Sequence, residues 1–293
     1  MAEEGKKGFV AYIELLRPGW WLACFFIGLV PGLLAIFTRD DGSMKEFLRF
    51  NTVIWAVGYW ASVTGIYVLN DWIGIREDSI VNAARPLPSR RVSPRSAYVF
   101  SIVMIVIGIA LWWIAFQDPL STSIQGACIL IMIIYAAWYK HNFLLSLAAA
   151  LIPVGVWIAL APFDWIMVGL FAFVFFWEMC LDVPENILHY EGDKLYSPNT
   201  FGVLMGRERL ASIGFIFALL TIGALGWLFV LLEMSIVFLV FAILGGATLL
   251  FSQLSIKNDI APMKCGRSLG MVMLAMFLIN LGFIAHTIIQ TYF

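Results

Sequence analysis

Asn70-Asp71-Trp72-Ile73-Gly74-Ile75-Arg76-Glu77-Asp78, followed by Arg85-Pro86-Leu87-Pro88-Ser89, ends an apolar run that begins near residue 51. Acid, amide and arginine are concentrated where hydrocarbon-compatible sequence has just stopped. A second cluster in the same setting runs from Asp182 to Asp193, with Glu185, Asn186, His189 and Glu191 between. A carboxylate inside or at the edge of hydrocarbon costs several kcal/mol without a partner, so acids placed this way are functional candidates. Two such clusters facing one cavity predict an enzyme site built for metal and phosphate chemistry.

The surrounding chain explains that setting. Of 293 residues, 62% are hydrophobic and 13% charged, against about 25% charged in soluble domains. Spanning helices need roughly 17 to 25 apolar residues, and nine such stretches are predicted, at about 19–37, 51–72, 96–116, 122–139, 143–162, 164–181, 210–231, 234–252 and 268–290. The expected fold class is therefore all-α integral membrane, with nine transmembrane helices around a central cavity and a cytoplasmic polar cap. Met1 to Arg17 is polar and amphipathic and precedes no small-residue cleavage site, so no cleavable signal peptide is expected.

With nine spans, the loops on the N-terminal side hold Lys6, Lys7, Arg17, Arg76, Arg85, Arg90, Arg91, Arg95, Lys140, Lys194, Arg207, Arg209, Lys257, Lys264 and Arg267. The opposite side holds Arg39, Lys45 and Arg49. Positive residues are retained in the cytoplasm, which predicts a cytoplasmic N-terminus and cytoplasmic acid clusters, in a multi-pass membrane protein. Arg90, Arg91 and Arg95 read as orienting charges and headgroup contacts. Cys24, Cys128, Cys180 and Cys265 are scattered, without the C-x-x-C spacing of a zinc site or a disulfide framework.

No linker or low-complexity segment divides the chain, so residues 1–293 are expected to form a single domain, with cap loops at about 73–94 and 184–208. These long polar segments follow the second and sixth spans, and helices 2–3 and 6–7 resemble copies of one device. Asn70, Gly74 and Asp78 recur every fourth residue, and Asp182, His189 and Asp193 share a face if the backbone is helical. Pro184 interrupts the second pattern, so that Asp182 also reads as the cap of a new short helix. Ser197-Pro198-Asn199 is expected to break the backbone, with Thr200 capping the segment after it.

Hard oxygen donors without cysteine favour Mg²⁺. Arg76, Arg85, Lys140 and Lys194 could supply further positive charge. A phosphorylated substrate that needs a membrane-embedded site is an isoprenyl diphosphate, whose tail gains about 0.8 kcal/mol for each CH₂ kept from water. Cleavage of its allylic C–O bond sends negative charge to the diphosphate, where cations stabilise it. Tyr59, Trp60, Tyr67, Trp72, Trp138, Tyr139 and Trp177 are candidates to shield the carbocation, against a packing or lipid-facing role for most of them. Glu178 reads as either a site acid or a structural partner, and Asn280 and His286 as interhelical hydrogen-bonding residues.

In these residues the chain resembles the UbiA superfamily of intramembrane prenyltransferases, over nearly its whole length. That family's first motif, N-D-x-x-D-x-x-x-D followed by R-P-x-x-S, is matched by Asn70, Asp71, Asp78, Arg85, Pro86 and Ser89. Tyr135 and Lys140 resemble its tyrosine and lysine near the end of the fourth helix. Glu191-Gly192-Asp193-Lys194 resembles the E-G-D-R/K ending of one form of its second motif, with Gly206 at its trailing glycine. The resemblance implies catalytic roles for Asp71, Asp78, Asp193 and His189. It implies metal binding by Asn70, Asp71, Asp78, Asp182, Glu191 and Asp193, and substrate binding by Asn70, Arg85, Tyr135, Lys140, Lys194, Trp72 and Tyr67. Gly74 departs from the motif's middle aspartate, His189 from an aspartate of many members, and Ile75 from an arginine of many aromatic-acid prenyltransferases.

The expected activity is Mg²⁺-dependent ionisation of an isoprenyl diphosphate and transfer of the prenyl group to an acceptor. A terpene cyclase that needs no acceptor is the alternative, and an ion-coupled transporter a remote one. The expected partners are the isoprenyl diphosphate, the bilayer and a small-molecule acceptor, with no nucleic acid.

Overall fold

The computed structural model describes residues 2–16, 29–38 and 50–292 and is helical throughout them apart from short connections. The elements are α1 (Ala2–Leu15), α2 (29–37), α3 (Phe50–Ile73), α4 (Ile75–Val81), α5 (Pro94–Phe116) and α6 (Pro119–Ala137). They continue as α7 (Asn142–Leu160), α8 (Trp165–Tyr196), α9 (Phe201–Met205), α10 (Arg207–Leu231), α11 (Ile236–Asn258) and α12 (Pro262–Tyr292). Eight helices among the described residues are long and apolar enough to cross a membrane, namely α3, α5, α6, α7, α8, α10, α11 and α12. They correspond to the second to ninth predicted spans. The first, 19–37, lies largely outside the described residues, which include only its helical end at 29–37.

Local chemistry sets the boundaries. Ser93 and Asp118 cap α5 and α6, each accepting from a backbone N–H three residues on, and each is followed by proline at a position whose N–H would have no helical partner. Gln117 takes a left-handed conformation (φ 50°), so α5 and α6 join in a tight hairpin. Gly206, with φ 80°, links α9 to α10 in a conformation that glycine adopts without steric cost.

The acid-bearing helices each pack along the span that follows them, α3 on α5 and α8 on α10. The first pair approaches closely because its interface is made of small residues. A Cβ on Gly65 would stand 2.7 Å from the Ser101 carbonyl oxygen, and one on Gly108 2.6 Å from the Ser62 backbone nitrogen. The core below the acids is aromatic, with Trp112, Trp157, Trp177, Phe238 and Phe283 fully buried.

One expectation is corrected. The sixth span does not stop at 181 for a capped new helix, because α8 runs unbroken through Pro184 to Tyr196. Proline removes the N–H that would bond the Cys180 carbonyl one turn back, and that carbonyl instead accepts from Gln253 Nε2 of α11 at 3.0 Å. A side chain from a neighbouring helix thus replaces the missing hydrogen bond, and the expected polar loop at 184–208 begins as helix. Arg91 bonds Glu14 of α1 and the Ala84 carbonyl, tying α1 to the segment after α4.

Candidate active site

The break at Gly74 turns α4 away from α3 and lays it against α8, so the two acid segments face each other. They enclose a cavity of about 260 Å³. From α3 and α4 come Tyr67, Asn70, Arg76, Glu77 and Asp78, with Arg85 from the turn beyond; α6 contributes Met132 and Tyr135, and Lys140 follows it. From α8 come Glu178, Asp182, Glu185, Asn186, His189, Asp193 and Tyr196, at intervals of three or four residues except for the adjacent Glu185 and Asn186. Because α8 is continuous, these side chains share one face.

The cavity is held by bonds between segments remote in sequence. Lys140 Nζ donates to Glu77 Oε1 at 2.5 Å and lies 3.5 Å from Asp193 Oδ1. Ser197 Oγ donates to Glu77 Oε2 at 2.7 Å. Arg85 Nη1 donates to Asp78 Oδ1 at 2.7 Å and stands 3.6 Å from Asp71 Oδ1. Asn142 Nδ2 donates to Asp182 Oδ2 at 3.0 Å, while Asn142 Oδ1 accepts the Phe201 N–H at 2.8 Å. The first turn of α9 is therefore satisfied from other helices, by Asn142 and by Asn186 Oδ1. Thr200 occupies the expected cap position, but its side chain makes no capping bond.

Burial disfavours the Glu77 carboxylate, but Lys140 and the hydroxyl of Ser197 outweigh it and hold Glu77 below the usual carboxylate range. Burial likewise opposes charge on Lys140, yet Asp193 and Glu77 raise it above an ordinary lysine. The pair is ionised at neutral pH.

Of the residues singled out from the sequence, Tyr67, Asn70, Asp78, Arg85, Tyr135, Lys140, Asp182, His189 and Asp193 line this one cavity. Asp71 is buried and meets it through Arg85. Three expected residues do not reach it. Glu191 and Lys194 are exposed on other faces of α8, since at about 100° per residue neither falls in line with Asp193. Trp72 packs on Tyr98, with ring centroids 4.9 Å apart, and belongs to the cluster around Val68 and Leu87. Among the other aromatics, Tyr59, Tyr67 and Trp177 line a second chamber of about 70 Å³, whereas Trp138 and Tyr139 are exposed.

Sequence reasoning missed Asn142 and Ser197. Each follows a helix break at the membrane edge, where a polar residue carries no signal of its own. His286 accepts from the Ser235 N–H, joining two elements as expected, whereas the Asn280 side chain donates to the Met276 carbonyl of its own helix.

Six carboxyl groups and three cationic side chains line the cavity. Among the described residues no three His, Cys, Asp or Glu side chains converge as a closed metal site. Mg²⁺ does not require one, since it commonly uses one or two carboxylates with waters and phosphate oxygens. The acid excess and the all-oxygen donor set fit a cation that arrives with phosphate.

The sequence pattern of the UbiA prenyltransferase family matches residues 28–281. The chain belongs to the UbiA prenyltransferase family. It is 24% identical over 295 residues to the digeranylgeranylglyceryl phosphate synthase of Ignicoccus hospitalis, covering 97% of this chain and 93% of that protein. It is 34% identical over 224 residues to the protoheme IX farnesyltransferase of Salinispora tropica, covering 72% and 67%. A UbiA homolog from Archaeoglobus fulgidus bound to DMAPP and Mg²⁺ shares the fold, with a TM-score of 0.64 at 18% identity over 94% of this chain and 99% of that one. This UbiA-family protein is thus an all-helical, multi-pass membrane prenyltransferase. Gly74 lines the cavity, where a Cβ would stand 3.1 Å from the Asn70 carbonyl oxygen.

Proposed function

We propose that the cavity binds the head of an isoprenyl diphosphate with Mg²⁺, promotes ionisation of its allylic C–O bond and passes the prenyl group to a small-molecule acceptor. The observation that carries this reading is the union of an acid-rich, arginine- and lysine-bearing cavity with a largely apolar chamber. The two share Tyr67, Met132, Leu145 and Glu178. A charged head and a hydrocarbon tail match that division.

Asn70, Asp78 and Asp193 are the residues that would hold the metal, with Asp71 positioned behind Arg85. The bound ion would neutralise charge on the diphosphate. Arg85 and Lys140 both line the cavity, and both would add hydrogen bonds to the leaving group. His189 faces the same space as a further diphosphate donor. Tyr59, Tyr67 and Trp177 line the apolar chamber and would stabilise the carbocation through cation–π contacts.

That a relative in this fold binds DMAPP and Mg²⁺ supports the ligand class. Relatives named as transferases support transfer over cyclisation. The whole chain acts as one unit, with the distribution of basic residues supporting a cytoplasmic N-terminus and cavity.

The test is diphosphate release from C10, C15 and C20 prenyl diphosphates by purified protein. Asp78→Ala and Asp193→Ala are expected to abolish release while the protein remains inserted, and EDTA to stop the wild type. Undiminished release in EDTA or in either variant would refute the assigned role. A cyclic hydrocarbon formed without acceptor would move the chain to the cyclase branch.

A further inference from the structure

Tyr67, Met132, Leu145 and Glu178 line both the polar cavity and the apolar chamber, and so stand where the two adjoin. A prenyl diphosphate bound as proposed above, with its head in the polar cavity and its tail in the apolar chamber, would place its allylic carbon beside these residues. Glu178 is the only carboxyl group among the four. It is 6% exposed and makes no hydrogen bond or ion pair among the described residues.

Most other acids of the cavity are committed to a partner. Asp78 is held by Arg85, Glu77 by Lys140 and Ser197, Asp182 by Asn142 and Asp193 by Lys140. A buried carboxyl left without a partner is destabilising. Glu178 lines both the polar cavity and the apolar chamber.

We propose that Glu178 is the proton acceptor of the transfer step, an inference that rests on the prenyl diphosphate reading above. The C–O bond to the diphosphate breaks, and its electron pair leaves on the diphosphate. The nucleophilic atom of the acceptor bonds to the allylic carbon. The proton that this atom carried passes to a Glu178 carboxylate oxygen, and from there to water through the polar cavity once product has left. The acceptor therefore belongs to the class whose nucleophile bears a removable proton, a hydroxyl oxygen or an electron-rich ring carbon. In the absence of such an acceptor, water takes its place.

Positional isotope exchange separates ionisation from proton loss. The full chain in phosphatidylcholine vesicles would be incubated with Mg²⁺ and geranyl diphosphate carrying ¹⁸O in the bridging position. Recovered substrate is read for scrambling of the label, and the medium for released diphosphate. Glu178→Gln is expected to scramble label at least as fast as the wild type while net release falls about 10²-fold, the usual scale of a lost general base. Glu178→Asp should recover part of the release.

Wild-type release by Glu178→Gln would overturn the proposal. So would joint loss of scrambling and release in that variant, which would place Glu178 in folding or in ionisation. Asp78→Asn tests the head-group reading separately and should lose both signals together. A wild type that neither scrambles nor releases would overturn that reading, and the proposal with it.

Discussion

Gln253 is predicted to stabilise the acid-bearing helix only because Pro184 is present. Its Nε2 donates to the Cys180 carbonyl at 3.0 Å, the oxygen that Pro184 leaves without a helical donor. Gln253→Met keeps the length of the side chain and removes the donor. A buried carbonyl then loses its partner, at a cost of about 1–3 kcal/mol. At about 2 °C per kcal/mol for a chain of this size, the unfolding midpoint in detergent should fall by about 2–6 °C. Pro184→Ala returns an N–H to the same carbonyl, so Gln253→Met combined with Pro184→Ala should regain most of that loss. The double-mutant cycle should yield a coupling energy of about 1–2 kcal/mol. Differential scanning fluorimetry of the four proteins supplies the numbers. Equal destabilisation of Gln253→Met with and without Pro184→Ala, leaving no coupling, would refute the reasoning.

Packing and charge lead to three further expected outcomes. Gly65→Ala places a methyl 2.7 Å from the Ser101 carbonyl oxygen and 2.9 Å from the Ile105 nitrogen, and should cost about 1–3 kcal/mol in thermal unfolding; Gly126→Ala, with no heavy atom within 4 Å, should lack that steric penalty. Asn142→Ala removes the bonds to Asp182 and Phe201 and should cost about 2 kcal/mol, measured in the same assay. Glu77 is held below its reference value of 4.5 and Lys140 above its reference of 10.5. The carboxylate's contribution is therefore present above pH 4.5 and lost as pH falls through the lowered folded value, whereas the ammonium's is lost only as pH rises through its raised one. Glu77→Gln should accordingly flatten the acid limb of the stability profile, and an unchanged acid limb would count against the Glu77–Lys140 pair.

Much of this architecture is written locally. Apolar runs of spanning length mark α3, α5 to α8 and α10 to α12, and caps such as Ser93-Pro94 and Asp118-Pro119 mark where two of them begin. The cavity residues on α8 share a helical period, but Pro184 concealed it. Proline usually ends a helix, and the donor that keeps this one intact lies 69 positions beyond Pro184 in the sequence. Glu191 and Lys194 misled for a related reason. Motif similarity preserves their spacing from Asp193, but only a known helical phase shows that they point elsewhere.

Composition and motif alone thus determine that this chain lives in a bilayer and carries two acidic segments of prenyltransferase type. They do so because hydropathy and residue identity are properties of each stretch by itself. Whether those segments meet, which acids are bonded by Lys140, Arg85 and Asn142, and that Glu178 has no hydrogen-bond partner among the described residues were decided only in three dimensions. Partnership depends on distances between residues as far apart as Glu77 and Ser197, and those distances are set by the packing of the whole bundle.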